Sequence, residues 1–307
     1  MEGVVDWIMR DTLTRLGGID QCTTEFIRVT QYLHSEIVFR KFCPELRMNS
    51  RTPAGTPVFV QLLGGQPEPL ARNAERAARM GAAGIDLNFG CPAKTVNRHD
   101  GGASLLKCPD RVLQIVKAVR AAVPATTPVT VKIRLGFDDP NACFDNALAA
   151  EEGGASSLTV HCRTRTDGYK PPAHWEWMPK IREKVKLPLV ANGEIWNRAD
   201  LERCREVSGC DRFMIGRGAI ANPFVFQDLR GWRPAQAPLW TDVKPLIPGF
   251  FAACTDHIND HFATSRTKQW LRALSTKNQE AKELFDGVKT YRKPREFQSE
   301  LERRLLS

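Results

Sequence analysis

Short apolar or β-branched runs alternate with longer amphipathic segments along the chain before Gly218. Each run has the length of a buried strand, and later intervening segments, such as Asp110–Arg120, carry apolar residues at helical spacing. Strands that alternate with helices are joined by crossover connections and therefore pair in parallel. The pattern predicts seven parallel strands, at Cys22–Val29, Pro57–Leu63, Gly84–Asn88, Pro128–Leu135, Ser157–His161, Pro188–Asn192 and Arg212–Gly216.

The predicted fold is α/β, a (β/α)8 barrel (TIM barrel) followed by a small all-helical domain. Seven strands are one short of the closed barrel. The chain also opens on Met1–Asp6, with no apolar strand before the first helical pattern. We therefore expect that the first strand is missing from the given sequence. The barrel domain is predicted over residues 1–230, a Trp- and Pro-rich linker over 231–245, and the helical domain over 246–307.

Charge and composition restrict the class of partner. A net charge of +9 with a pI near 9.2 favours an anionic partner, nucleic acid first, although an unpartnered basic surface is the alternative. Residues 264–304 hold eleven Lys or Arg against six Asp or Glu. No apolar run approaches the roughly 18 residues of a membrane helix, and no signal-peptide pattern opens the chain. We expect a cytoplasmic monomer with no membrane contact.

The nine cysteines include no CxxC pair and no Cys/His cluster at zinc-ligand spacing, so no metal site is expected. One of them lies where chemistry could occur. Cys91 follows the apolar run Gly84–Leu87, and the sequence Gly90-Cys91-Pro92 turns the chain as the strand ends. Cys91 is thus predicted at the carboxyl edge of a strand, where parallel α/β proteins build active sites. The alternative is a buried structural cysteine.

Hydrogen-bonding side chains dominate the other predicted strand ends. A packed barrel interior would favour branched aliphatic residues there, so this polar rim indicates a ligand. The turns Asn192–Glu194 and Gly216–Gly218 would follow strands seven and eight of a full barrel, the usual phosphate-binding corner, although a glycine turn without a ligand is the alternative. The polar rim consists of Gln61, Asn88, Cys91, Lys132, Arg134, His161, Arg163, Asn192, Glu194 and Arg217.

A phosphate at that corner, with Lys132, Gln61 and His161 near the middle of the rim, fits flavin mononucleotide (FMN) lying across the barrel mouth. A lysine near the N1 and O2 edge of the flavin would stabilise the negative charge that builds there on reduction. No Gly-x-Gly-x-x-Gly follows a strand, which argues against a Rossmann nucleotide domain.

These motifs, in this order, resemble those of the tRNA-dihydrouridine synthases over nearly the whole chain. Within that family, Phe39–Leu46 and the helix around Arg266–Trp270 are most similar to the C-type bacterial enzymes, to which the resemblance assigns uridine 16 of the D-loop. The matching segments are Met1–Val4 for Pro-Met-Glu-Gly-Val, Asn88–Val96 for the Cys-Pro loop, Val131–Gly136 for Val-Lys-x-Arg-Leu-Gly, His161–Arg165 for His-x-Arg-Thr-Arg, Asn192–Ile195 for Asn-Gly-Glu-Ile and Ile215–Gly218 for Ile-Gly-Arg-Gly.

The resemblance implies an FMN enzyme that acts on tRNA. NADPH would reduce the flavin, flavin N5 would deliver hydride to C6 of a uracil, and Cys91 would protonate C5. A free thiol is mostly protonated near neutral pH, which suits a proton donor. By motif, FMN would be held by Met1, Glu2, Gln61, Lys132, His161, Asn192, Gly193, Glu194, Gly216 and Arg217. The tRNA would be contacted by Arg28 and Asn88 near the target uridine, and by Arg266, Lys268, Arg272 and Lys289 from the helical domain.

Two other functions stay open. An FMN-dependent reductase of a small pyrimidine-like molecule would leave the basic tail unexplained. A tRNA-binding protein whose catalysis has lapsed would follow from the missing first strand.

Overall fold

The computed structural model describes residues 2–98, 101–234 and 239–306. The chain divides into two compact units. The first, called the sheet unit here, comprises Asp20–Ile195 and Ala199–Ile215. The second, called the helical unit, comprises Met1–Ile19, Trp196–Arg198 and Gly216–Ser307. The predicted domain limits at residues 230 and 245 stay predictions. Residues 235–238 of the predicted linker lie outside the described residues, and a short helix, Leu239–Val243, begins directly after them.

The sheet unit is built on a curled, wholly parallel sheet, which confirms the predicted α/β architecture. The predicted strand Cys22–Val29 is present as two short segments that both pair with the next strand. The sheet order is β1-β3-β4-β5-β6-β7-β8, with β2 also on β3, and β8 and β1 are not paired with each other in the described residues. The strands are β1 Cys22–Thr23, β2 Ile27–Arg28, β3 Val58–Leu63, β4 Ile85–Asn88, β5 Val129–Arg134, β6 Ser157–His161, β7 Leu189–Asn192 and β8 Phe213–Met214.

Helices lie between these strands, as the amphipathic segments predict. All six residues of β3 are buried, because a parallel sheet covered by helices has no solvated face. The longer helices of this unit are α2 Glu36–Phe42, α3 Pro67–Arg79, α5 Pro109–Ala122, α6 Ala142–Glu152, α7 Trp177–Arg182 and α8 Arg198–Ser208, and the short ones are α4 Lys94–Asn97 and the 3-10 helices Pro44–Met48 and Gly102–Lys107.

The helical unit has its own core. Trp270 is 1% exposed, its ring lies 4.8 Å from that of Phe250, and its indole N–H donates to the carbonyl of Ile220 at 3.2 Å. Asn259 and Asn278 cap two helices by accepting backbone N–H groups that a helix leaves unpaired. The helices are α1 Trp7–Arg15, α9 Arg217–Ala221, α10 Val225–Arg230, α11 Leu239–Val243, α12 Leu246–His257, α13 Asp260–Leu274, α14 Gln279–Val288 and α15 Pro294–Leu306.

Candidate active site

The loop that carries Cys91 is fixed by hydrogen bonds on both sides of the cysteine. Before it, the Gly90 N–H donates to Asn88 Oδ1 at 2.9 Å. At the cysteine itself, the carbonyl oxygen accepts from the Ala103 N–H at 3.0 Å and from Asn97 Nδ2 at 2.9 Å. Gly102 makes this approach possible, because a Cβ there would lie 2.7 Å from the Cys91 carbonyl oxygen. The cysteine therefore has a set position at the carboxyl end of β4.

The surroundings of Cys91 differ from those of the core cysteines. Its half-buried side chain packs at the edge of an apolar cluster of Phe26, Leu63 and Val96. It also lies close enough to Lys132 and Arg134 for their charges to interact. Elsewhere, burial raises the pKa of the thiols of Cys143, Cys162, Cys204 and Cys254 well above the usual range. Cys91 thus combines partial access with a cationic neighbourhood, which a purely structural cysteine does not need.

A chain of hydrogen bonds crosses the strand ends and reaches the Cys91 turn. Thr130 Oγ1 donates to Asp86 Oδ1 at 2.5 Å, and Gln61 Nε2 donates to Asp86 Oδ2 at 2.7 Å. Asn88 Nδ2 then donates to Gln61 Oε1 at 2.9 Å, while its Oδ1 accepts the Gly90 N–H. Burial raises the pKa of Asp86, although the two hydrogen bonds and Lys132 oppose that rise. Asp86 therefore fixes which end of the Gln61 amide faces Asn88.

Lys132 lies one strand further along the sheet. Its Nζ donates to Asn192 Oδ1 at 3.1 Å, and Asn192 Nδ2 donates to the Met214 carbonyl at 2.7 Å. Burial, and secondarily the charge of Arg134, lowers the pKa of Lys132 from 10.5 to about 8. The side chain therefore still carries its proton for most of the time at neutral pH, and it is a cation held in a half-buried place.

His161 and the turn after β7 pack closely together. His161 is 6% exposed, and a Cβ on Gly193, whose φ is +123°, would lie 3.2 Å from the imidazole ring. The next residue, Glu194, has a φ of 55°, in the left-handed region, and its Oε1 lies 2.9 Å from Nη2 of the fully buried Arg163. Strained backbone of this kind persists only where its surroundings enforce it. The predicted Asn192–Glu194 turn is therefore a rigid part of the rim.

Arg134 joins the Cys91 turn to the loop after β6. Its guanidinium is 1% exposed, and Nε donates to the Gly90 carbonyl at 2.9 Å. Nη1 donates to the carbonyls of Thr164 and Gly168, each at 2.9 Å. The same guanidinium lies 5.4 Å from the ring centre of Tyr169. Three backbone carbonyls from two loops therefore share one buried cation.

The predicted site residues do not include Asp86 or Thr130, and Arg134 is predicted only as a member of the polar rim. Asp86 had a visible signal, because a carboxylate inside the apolar run Gly84–Leu87 has to be paired when that run is buried. Arg134 stood on the predicted rim, but its donation to loop carbonyls depends on how the loops fold. No sequence signal identified Thr130.

The predicted residues of the helical unit have varied surroundings. Met1 lies outside the described residues, and Glu2 is exposed in a turn. Gly216 precedes α9, and Arg217 begins that helix with its guanidinium 5.1 Å from the ring centre of Trp196. Lys277 lies 5.0 Å from the same ring, so two cations approach one indole.

Of the predicted tRNA contacts, Arg266 has an unexpected position. It is 6% exposed, its Nε donates to Asp6 Oδ2 at 2.9 Å, and its Nη atoms donate to the carbonyls of Gly3 and Val4. This position gives Arg266 a structural role at the N-terminal segment and does not support a phosphate contact. Lys268 is half-buried and donates to the Tyr291 carbonyl. Among the other predicted contacts, Arg28, Arg272 and Lys289 are exposed and Asn88 is half-buried.

The described residues contain neither a candidate metal site nor a candidate membrane-spanning helix. No group of three or more His, Cys, Asp or Glu side chains in them could hold a metal ion. None of the helices in the described ranges combines the length and the hydrophobicity that crossing a membrane requires.

Comparison with known proteins identifies the family. The sequence model of the family described as dihydrouridine synthase (Dus) matches residues 1–304. A tRNA-dihydrouridine(16) synthase of Pseudomonas putida is 51% identical over 93% of this chain and 89% of its own length. Another protein of that name, from Shewanella oneidensis, is 46% identical over 98% of this chain and 95% of its own.

A solved structure supports the fold alone. The old yellow enzyme homologue from Zymomonas mobilis aligns with a TM-score of 0.55 at 16% identity, over 75% of this chain and 84% of that one. The family predicted from the sequence motifs is confirmed by the sequence comparisons: this chain belongs to the dihydrouridine synthase family.

Proposed function

We propose that this protein reduces a uridine of tRNA, at position 16, to 5,6-dihydrouridine, with FMN as cofactor and NADPH as reductant. Family membership and the names of the relatives support the reaction and the position. The observation that carries the proposal is the fixed loop that holds the half-buried Cys91 at the carboxyl edge of a parallel sheet, next to the strand that carries Lys132.

The donor set of the sheet unit fits a flavin. Lys132 offers a cation for the edge of the ring that becomes negative on reduction. Gln61 Nε2 has two hydrogens, of which one bonds to Asp86, and the described residues offer no acceptor for the other, which can therefore donate to a flavin carbonyl. Gly193 leaves space beside His161 that any side chain would fill. We propose that the sheet unit binds FMN through Gln61, Lys132, His161, Asn192, Gly193 and Glu194. The FMN contacts that the motifs predict for Met1, Glu2, Gly216 and Arg217 stay predictions.

Bound and reduced FMN would supply the hydride that C6 of the uracil receives. Cys91 supplies the proton: its S–H bond breaks as a C–H bond forms at C5, and the sulfur is left as a thiolate. The charges of Lys132 and Arg134 stabilise that thiolate, because both interact electrostatically with the cysteine. Asn88, held by Gln61 and by the Gly90 N–H, keeps the loop aligned while the proton moves.

The target base lies inside a folded tRNA and has to leave its stack to reach this site. That costs a few kcal/mol, on the order of one broken stacking step, and contacts to phosphates offset it. The exposed Arg28, Arg272 and Lys289 provide such contacts in this proposal. A reductase of free pyrimidines would not need them.

The test compares the wild-type protein with Cys91→Ala and with Cys108→Ala, a matched change at an exposed cysteine. Each protein is incubated with NADPH and tRNA that lacks dihydrouridine, and the product is mapped by mass spectrometry. We expect dihydrouridine at position 16 from the wild type and from Cys108→Ala, and about a hundredfold or greater loss for Cys91→Ala. Flavin absorbance should be equal in all three.

Three results would contradict the proposal. Equal turnover by Cys91→Ala would remove the thiol from the chemistry. Reduction of free uridine as fast as tRNA would favour the small-molecule reductase. A protein that binds tRNA but takes up no flavin would instead be the lapsed enzyme.

A further inference from the structure

The segment between β2 and α2, residues 29–35 and called the rim loop here, leaves the sheet at the same edge as Cys91. This follows from the parallel pairing of β2, β3 and β4, whose carboxyl ends lie together. Its first residue is still part of the ladder, because the Val29 N–H donates to the Leu63 carbonyl at 2.7 Å. The function proposed above does not use this loop.

Side chains of α3 form hydrogen bonds with the backbone of the rim loop. Asn73, which is fully buried, donates to the Tyr32 carbonyl at 3.0 Å and accepts the His34 N–H at 3.0 Å. Arg76 Nη1 donates to the His34 carbonyl at 2.5 Å, and His34 Nε2 donates to the Arg28 carbonyl at 2.8 Å. The backbone of the loop is therefore ordered before any partner arrives, and binding to it costs little conformational entropy.

Two large apolar side chains are exposed in and just after the rim loop. The Tyr32 side chain is 75% exposed, and Ile37, in the first turn of α2, is 76% exposed. Large exposed apolar side chains of this kind are candidates for contact with a partner. An aromatic ring presented on a rigid support is the usual platform for an unstacked nucleic-acid base, since every base offers a π-face.

A basic cleft adjoins the rim loop. It has a volume of about 330 Å³ and lies between α2 and α3, with Leu33 of the rim loop on its wall. Four arginines line it, Arg40, Arg72, Arg76 and Arg79, against two glutamates. Glu36 pairs with Arg40 and Glu75 pairs with Arg79, so the cleft keeps an excess of two positive charges, on Arg72 and Arg76. This charge fits the phosphates of a nucleic-acid strand.

We propose that the rim loop and the adjoining cleft bind single-stranded RNA, with Tyr32 stacking on an unpaired base of the tRNA loop and Arg72 contacting a phosphate of the same strand. The proposal rests on the function proposed above and extends it to a surface of the sheet unit. Arg76 is a positioning residue, because it holds the loop through the His34 carbonyl.

The experiment measures tRNA affinity at several salt concentrations together with the kinetics of dihydrouridine formation. The variants are Tyr32→Ala, Tyr32→Phe and Arg72→Gln. The controls are Met48→Ala, an exposed apolar residue that precedes β3, and Lys117→Gln, an exposed cation on α5. Thermal denaturation of each variant checks that the fold is retained.

We expect Tyr32→Ala to raise both Kd and KM for tRNA by about fivefold or more, with kcat unchanged, and Tyr32→Phe to bind like the wild type. Arg72→Gln should reduce the slope of log Kd against log salt by about 1, and Lys117→Gln should leave it unchanged. Unchanged Kd and KM in Tyr32→Ala, from a wild type that does make dihydrouridine, would overturn this inference alone. A wild type that makes no dihydrouridine defeats the proposed reaction, and the Kd values then still decide whether this surface binds RNA.

Discussion

The two units use charged and polar side chains in opposite ways. In the sheet unit, the polar residues at the strand ends contact one another, as in the chain from Asp86 through Gln61 to Asn88. In the helical unit, two basic residues of α13 have different surroundings: Arg266 is buried against the N-terminal segment, and Arg272 is exposed to solvent. Parallel strands bring their ends together by geometry, so position in the sequence predicts neighbours there. The basic side chains of a helix do not converge in this way, so their neighbours cannot be predicted from their positions in the sequence.

The largest effect is expected from a comparison of Arg266 with Arg272 on α13. Arg266→Gln should lower the free energy of unfolding by about 3 kcal/mol, because it breaks a mostly buried ion pair and leaves Asp6 and two carbonyls without their donor. Arg272→Gln should change it by less than about 0.5 kcal/mol and weaken tRNA binding instead. Urea denaturation and tRNA affinity measure the two effects. Equal free energies of unfolding for the two variants would contradict the structural role of Arg266.

A smaller effect tests the hydrogen-bond chain of the sheet unit. Asp86→Ala should cost about 1–3 kcal/mol of stability, because Gln61 Nε2 loses its buried acceptor. It should also slow dihydrouridine formation, because the Gln61 amide no longer holds Asn88 and the Cys91 turn. Thr130→Val removes the other donor to Asp86 without touching Gln61, so it should lower stability but keep the rate. The same rate loss in both variants would mean that Asp86 only supports the fold.

The last test is a pH dependence from Lys132. As pH rises through about 8, this side chain loses its proton, and the rate should fall by up to about tenfold for each further pH unit. Stability should move the other way. The unfolded chain keeps this proton up to about pH 10.5, whereas the folded chain loses it near pH 8. The free energy of unfolding should therefore increase as pH rises from 8 to 10.5. A pH–rate profile and denaturation at both ends of that range, with Lys132→Gln as control, would test both signs.

Much of the fold could be predicted from the sequence, because runs of buried strands and amphipathic helices are local patterns. The first strand was the exception: Cys22–Val29 is interrupted, and only its two ends pair with β3. The rim residues Gln61, Asn88 and Lys132 could also be predicted, since each ends or nearly ends a strand. The surroundings of Arg266 could not, because Asp6 precedes it by 260 residues and nothing local specifies that pair.

Asp86 shows a different limit. A charged residue inside an apolar run signals a buried interaction, but its partners depend on strand register. Gln61 and Thr130 are the register neighbours of Asp86 on β3 and β5, and this pairing exists only once the sheet has formed. The sequence therefore indicates that Asp86 has buried partners but does not identify them.

Arg134 has a mechanical consequence. One guanidinium donates hydrogen bonds to the carbonyl before Cys91 and to two carbonyls of the loop after β6. Neither loop can therefore move alone without breaking hydrogen bonds of a buried charge. A ligand that displaces the segment 164–168 would therefore also displace the turn that carries Cys91, so the position of this thiol depends on the conformation of the loop after β6.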